Sequence, residues 1–301
     1  MTEITNFEEF TNAVQTALQE YFGKFMRVEI QKVNKTNGIV LTGITIADET
    51  TNIAPTIYLD EPYRLYETGT SFGEILEKMI VLYRENRPDE SFDIEFFSEY
   101  EKVKTKLAVK LLNYDMNREF LEEIPYIRYL DLAIVCHCVI INDMIGTGSI
   151  TIRKEHLSMW EITETELFAD AMKNTPKIYP ADLIDMRKVV DEMYEKKMEY
   201  GNLSMYILTN KARLNGAVSI LYPDILTDIA EYFEDDIYIL PSSVHEVILL
   251  PGKYGTDEAY LSKMVQEVNA TQLKQEEILS NHAYLYSRKR EQLLSLPLIP
   301  E

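Results

Sequence analysis

The chain has 301 residues, 46% of them hydrophobic and 27% charged, a composition that supplies a sizeable core and argues against a disordered chain. Its 30 Lys+Arg against 50 Asp+Glu give a formal charge of −20, a field that repels phosphate backbones and anionic lipid surfaces. The basic cluster Arg288-Lys289-Arg290 is too small to make a broad basic face, so direct nucleic-acid binding is not expected.

Residues from Asn6 to Phe22 place Phe7, Phe10, Val14, Leu18 and Tyr21 on one helix face, with Thr5 or Asn6 as N-cap. Met26–Val33 and Gly38–Ile46 are β-rich and flank Asn34-Lys35-Thr36-Asn37-Gly38, where Asn-Gly suits a tight turn; a hairpin is predicted. Ile53–Leu59 reads as a short extended segment. Ser71 caps a helix whose stripe is Phe72, Ile75, Leu76, Met79, Ile80 and Tyr83, and Pro88 follows its end. Phe92–Tyr100 reads as a short helix, Val103–Leu112 as a half-buried strand and Met116–Glu123 as a helix.

Ile127–Ile141 contains the most apolar strand, Gly146-Thr147-Gly148 a turn, and Ser149–Arg153 a returning strand. Thr163–Asn174 opens with a Thr-x-x-Glu capping box, and Ala181–Tyr200 reads as a further helix stopped by Gly201. Leu203–Leu208 and Ala217–Leu221 read as strands, and Pro223 starts a helix to about Phe233. Asp236–Leu240 and Val244–Leu250 form a hairpin turning through Pro241-Ser242-Ser243. Helix Asp257–Val268, a helical turn at Glu276–Leu279 and strand His282–Tyr286 complete the chain.

Paired strands with helices between the pairs predict an α+β fold, with antiparallel hairpin-based sheets and interleaved helices. Arg87-Pro88-Asp89-Glu90 suggests a boundary between an N-terminal α+β region, residues 1–90, and a C-terminal α+β domain, residues 91–301. The N-terminus has no basic region followed by an apolar run, so no signal peptide is read. The longest apolar stretch, Leu132–Ile141, is far short of the ~20 residues that span a bilayer. Cys136 and Cys138, the two cysteines, are too close to staple distant elements, which points to a reducing, cytoplasmic setting.

Nucleotide, zinc and nucleophile-elbow motifs do not occur, and no metal or cofactor is implied. Cys136-His137-Cys138 offers soft ligands but no second cluster, and adjacent Cys and His on a strand face opposite sides; buried apolar packing is the plainer reading. Pro241-Ser242-Ser243-Val244-His245-Glu246 gathers hydroxyls, an imidazole and a carboxylate at one hairpin tip. Ser243, His245 and Glu246 are the candidate catalytic residues, with His245 as general base and a carboxylate to orient it. The plainer reading is a hairpin whose serines bond the turn backbone. Ser242, Asn269, Gln272, His282 and Tyr284 are the candidate binding residues, as polar groups able to line a small-molecule pocket. The plainer reading there is a helix exit and a sheet edge.

Three runs resemble one family: Pro241-Ser242-Ser243-Val244-His245-Glu246-Val247-Ile248-Leu249, Val268-Asn269-Ala270-Thr271-Gln272, and Glu277-Ile278-Leu279-Ser280-Asn281-His282-Ala283-Tyr284-Leu285-Tyr286. Ala54-Pro55-Thr56-Ile57-Tyr58-Leu59 is similar too, less specifically. The resemblance is to an uncharacterised family of gut Clostridia, a domain of unknown function (family 5688), and covers nearly the whole chain. More faintly, the order of elements from Leu132 onward is similar to another uncharacterised family, found in Bacillus relatives. The resemblance implies a bacterial cytosolic origin and no particular reaction.

Two functions follow as expectations. The first is a cytosolic bacterial binding or interaction protein with an acidic surface and a protein partner, in its sharpest form a nucleic-acid mimic. The second is a hydrolase-like enzyme with a Ser/His/carboxylate site at the 241–246 hairpin. No membrane association is expected, and the sequence sets no oligomeric state.

Overall fold

A computed structural model describes residues 4–48, 54–87, 95–142, 146–193, 205–254 and 257–298. The chain forms two compact units, one of Met1–Lys35, Ile39–Phe96 and Ile141–Gly148, the other of Thr36–Gly38, Phe97–Ile140 and Ser149–Glu301.

In the first unit, α1 (Phe7–Phe22) begins where Asn6 Oδ1 accepts the Glu9 N–H, satisfying one orphan donor of the first turn. β1 (Met26–Asn34) and β2 (Val40–Asp48) pair antiparallel, and β3 (Thr56–Tyr58) adds to the free edge of β2. α2 (Asp60–Glu67) and α3 (Phe72–Asn86) follow, the latter closed at its N-terminus by a Ser71–Glu74 capping box. Phe10, Val14 and Leu18 of α1 meet Ile44, Ile57, Ile75 and Met79 in one apolar core. The sequence misses α2 because it is only eight residues long and its core-facing Tyr63, Leu65 and Tyr66 are half-buried, a stripe too short to show a helical period.

The rest of the chain, most of it in the second unit, forms two sheets. α4 (Tyr100–Val103), β4 (Leu107–Asn113), α5 (Arg118–Glu123), β5 (Tyr126–Tyr129), β6 (Leu132–Asn142), β7 (Gly146–Thr151), α6 (Lys154–Trp160) and α7 (Glu164–Ile178) come first. Then come β8 (Ala181–Asp185), α8 (Met186–Met193), β9 (Tyr206–Asn210), α9 (Ile225–Phe233), β10 (Ile237–Ser243), β11 (Glu246–Pro251), α10 (Glu258–Gln272), β12 (Tyr284–Ser287) and β13 (Gln292–Ser295). One sheet runs β4-β6-β5, with β7 also pairing β6; the other runs β13-β12-β10-β11-β9-β8. Their registered pairings are antiparallel, so the fold is α+β. Leu261 and Val265 of α10 pack on Leu240 and Leu250 of the longer sheet.

Several elements differ from the sequence reading. The helix predicted from Ala181 is a strand first: residues 181–185 pair one for one with β9. The Asp185 carboxylate then accepts the Arg187 N–H, so the helix starts only after it. The strand predicted at Ala217–Leu221 is a 3₁₀ turn, its Gly216–Ile220 residues buried with Ser219 Oγ donating to Thr209 O. Residues 103–106 are helical, and the Ile127–Ile141 stretch holds, besides the apolar strand β6 expected there, most of the shorter β5, set off where Leu130 takes a φ of 56°. Gly146 to Gly148 belong to β7 instead of a turn, and β13 goes unpredicted because Gln292–Ser295 is only four residues long. The 92–94 part of the predicted short helix, residues 194–200 of the long one, Leu203 and Ser204 of a predicted strand, and the 88–90 part of the predicted boundary lie outside the described residues.

Candidate functional site

β10 and β11 are inner strands of the longer sheet. They pair Pro241 with Val247 and Ser243 with Glu246, so Ser242 is a bulge and Val244-His245 is the turn. The predicted turn residues 241–243 are therefore strand. The tip is tied down on every side. Val244 N–H donates to Glu277 O at 2.9 Å, and Val244 O accepts from Ala217 N at 3.3 Å. His245 O accepts from Thr209 Oγ1 at 2.8 Å.

Two of the three candidate catalytic groups, Ser243 and His245, are engaged by the backbone. Ser243 Oγ accepts the His245 N–H at 3.0 Å, a local Ser turn. His245 Nδ1 accepts the Asn215 N–H at 3.1 Å, which requires the tautomer with its proton on Nε2. Glu246 Oε1 lies 3.5 Å from Ser242 Oγ, at the outer limit of a hydrogen bond. No hydrogen bond joins the Ser243 hydroxyl to the imidazole.

A second cluster contains most of the candidate binding residues. Ser280 Oγ donates to Asp131 Oδ2 at 2.6 Å, and Tyr284 OH donates to Asp131 Oδ1 at 2.8 Å. Tyr284 is fully buried; burial first, and the Asp131 charge second, push its phenol well above the usual range, so it stays a donor. Asn269 Nδ2 donates to Ser280 O and Asn281 Oδ1, both at 2.9 Å. His282 N–H donates to Ser280 Oγ at 2.8 Å, while its Nδ1–H donates to Leu296 O at 2.9 Å, the opposite tautomer to His245. Gln272 stands apart, exposed at the end of α10 with its amide on Thr271 Oγ1.

The two clusters meet at one loop. Each carbonyl from Gln275 to Ser280 receives a donor from elsewhere in the second unit. Asn37 Nδ2 serves Gln275 and Ile278, Thr36 Oγ1 serves Glu276, Val244 N serves Glu277, Asn113 Nδ2 serves Leu279 and Asn269 Nδ2 serves Ser280. Asn117 completes the set, exchanging bonds with Asn37 N and Oδ1 at 2.8 and 2.7 Å. A loop without a sheet partner has carbonyls that must find donors, and here asparagine amides supply them. Sequence reading missed Asp131, Ser280, Asn37, Asn113 and Asn117. Asp131 carries a faint signal, a charge standing at the head of the most apolar strand.

The Cys136-His137-Cys138 run sits on β6, opposite Val109, Ala108 and Leu107 of β4. Both thiols are free and buried. Burial pushes Cys136 well above the thiol range and Cys138 to about 11, so neither is a ready thiolate. Among the described residues no three His, Cys, Asp or Glu side chains gather as metal ligands, and no helix is long and apolar enough to cross a membrane.

A model of a family of unknown function, DUF5688, matches residues 7–288. The chain belongs to this family. No curated protein and no solved structure matches it. In this DUF5688 chain the three runs that carried the resemblance converge on the 275–280 loop, the hairpin run through the Val244 N–H and the others through Asn269 Nδ2 and Ser280 Oγ.

Proposed function

We propose that this protein acts by binding, presenting an acidic surface to a positively charged protein partner in a bacterial cytosol. The carrying observation is the hairpin tip, where Ser243 Oγ and His245 Nδ1 each accept a backbone N–H. A hydrolase at 241–246 needs an imidazole nitrogen free to take the serine proton. Here that nitrogen would have to give up Asn215, and the other carries the ring proton.

The formal charge of −20 supports a cationic partner, since the field attracts positive surfaces and repels phosphate. In the sharper form of this reading, carboxylates stand where phosphates would, and the partner is a DNA-binding protein. The two free, buried thiols suit a reducing compartment.

The test is initial-rate measurement on a series of activated esters, wild type beside His245→Ala and Ser243→Ala. Binding without catalysis predicts equal rates in the three proteins and no labelling of Ser243 by a fluorophosphonate. A wild-type rate that falls about 100-fold in His245→Ala, or stoichiometric labelling at Ser243, contradicts it.

A further inference from the structure

The first unit carries an apolar groove of about 350 Å³, walled by β3, α2 and α3. Its lining includes Ile57, Pro62, Leu65, Ile75, Met79 and Leu82, with Glu61 and Lys78 at the margin. That volume falls within the roughly 300–1,000 Å³ of pockets that take ligands. β3 is the outermost strand of its sheet, hydrogen-bonded to β2 alone among the described strands.

The groove does not end at its rim. A second depression on α3 is lined by Glu74, Glu77, Lys78, Val81, Leu82 and Glu85, and shares Lys78 and Leu82 with the first. The helical period explains the continuity. Ile75, Met79 and Tyr83 face the core, Leu82 lies one step round, and Lys78, Glu85, Glu74 and Val81 follow. Val81 and Leu82 are 50% and 46% exposed, so an apolar strip runs out of the groove onto the helix surface.

The charges beside that strip select its occupant. Glu77 and Glu85 form no ion pair among the described residues, and Lys78 is the one cation in either lining. Glu61 is held by Arg64, and Glu74 by the Ser71 cap. The two linings taken together are therefore net negative beside an apolar floor. Nucleic acid and anionic lipid are repelled by the same field, and a second copy would bring a further −20 of charge. We propose that this groove docks a cationic amphipathic segment of a protein partner, its apolar side chains in the groove and its Lys or Arg residues against Glu77 and Glu85. The proposal rests on the binding reading above and gives that reading a location and a partner chemistry.

The test is a fluorescence-anisotropy titration of the full chain with a labelled amphipathic peptide of Leu and Lys, beside a Leu/Glu counterpart. Glu77→Lys with Glu85→Lys should weaken Leu/Lys peptide binding about tenfold, and Leu82→Gln about fivefold. A control of equal charge change at residues outside both linings, Glu20→Lys with Glu231→Lys, should weaken it less than about twofold. All five positions are exposed, and unchanged thermal unfolding confirms that the variants are folded. Equal loss in the control, an unchanged Leu82→Gln affinity, or equal binding of the Leu/Glu peptide overturns the assignment. So does sedimentation showing a wild-type dimer that Leu82→Gln abolishes, because the occupant is then a second copy. Failure of the Leu/Lys peptide to bind wild type overturns the groove alone; the binding reading falls with His245-dependent turnover or with stoichiometric labelling at Ser243.

Discussion

His137 is 1% exposed, and neither of its ring nitrogens has a hydrogen-bond partner. Its ring stacks on Tyr179 at a centroid distance of 6.3 Å, and Lys110 of β4 lies near enough to oppose a second positive charge. Burial first, then Lys110, push its pKa down from 6.5 to about 3. The depressed value means that the unfolded chain binds the proton more readily than the native one. Stability from this group is therefore complete above the unfolded pKa and is lost as pH falls from 6.5 towards about 3. Within that window the slope approaches about 1.4 kcal/mol per pH unit. His137→Leu should remove that slope and, by deleting two unmet polar atoms, stabilise the protein at neutral pH by about 1 kcal/mol. Urea unfolding of both proteins at several pH values measures the difference; an unchanged acid slope in the variant contradicts it.

The hairpin, the 3₁₀ turn before α9 and the 275–280 loop work as one element. Gly216 shows how closely they approach. A Cβ there would stand 2.2 Å from Thr209 Oγ1, 2.4 Å from His245 O and 2.8 Å from Asn210 N. Two of those atoms are backbone, so the turn itself would have to move. Gly216→Ala should cost about 2–3 kcal/mol in urea unfolding, whereas Gly73→Ala, with no atom within 4 Å of its Cβ, should cost far less. Equal effects of the two substitutions would show that the hairpin is not packed against the turn.

Local signals decided which elements the sequence revealed. Capping boxes at Ser71 and Thr163 and the Asn-Gly turn are short-range chemistry, and all three elements form where they predict. β8 and the 216–221 turn are set by distant partners, β9 and the hairpin tip, and no local pattern encodes those. The same holds at the candidate site. Ser243 and His245 are visible as residue types, but Asn215, which donates to His245, and Glu277, which accepts from Val244 between them, lie some thirty residues away in the chain.

Across the whole molecule, the side chains richest in chemistry are spent on holding backbone. His156, His245 and His282 each bond a backbone group through Nδ1, and His137 is sealed in the core. The formal charge of −20 and the apolar groove in the first unit are the features on which the proposed binding role rests. If the hairpin tip is held as closely as these bonds imply, its amides are protected in the native state. Native-state hydrogen exchange reads this directly through the amides of Asn215, Ala217, Val244 and His245, each of which donates to a fixed acceptor. These amides should exchange only with the free energy of global unfolding of the second unit. Exchange of these amides at the rate of exposed loops would mean an open, mobile tip and would contradict this.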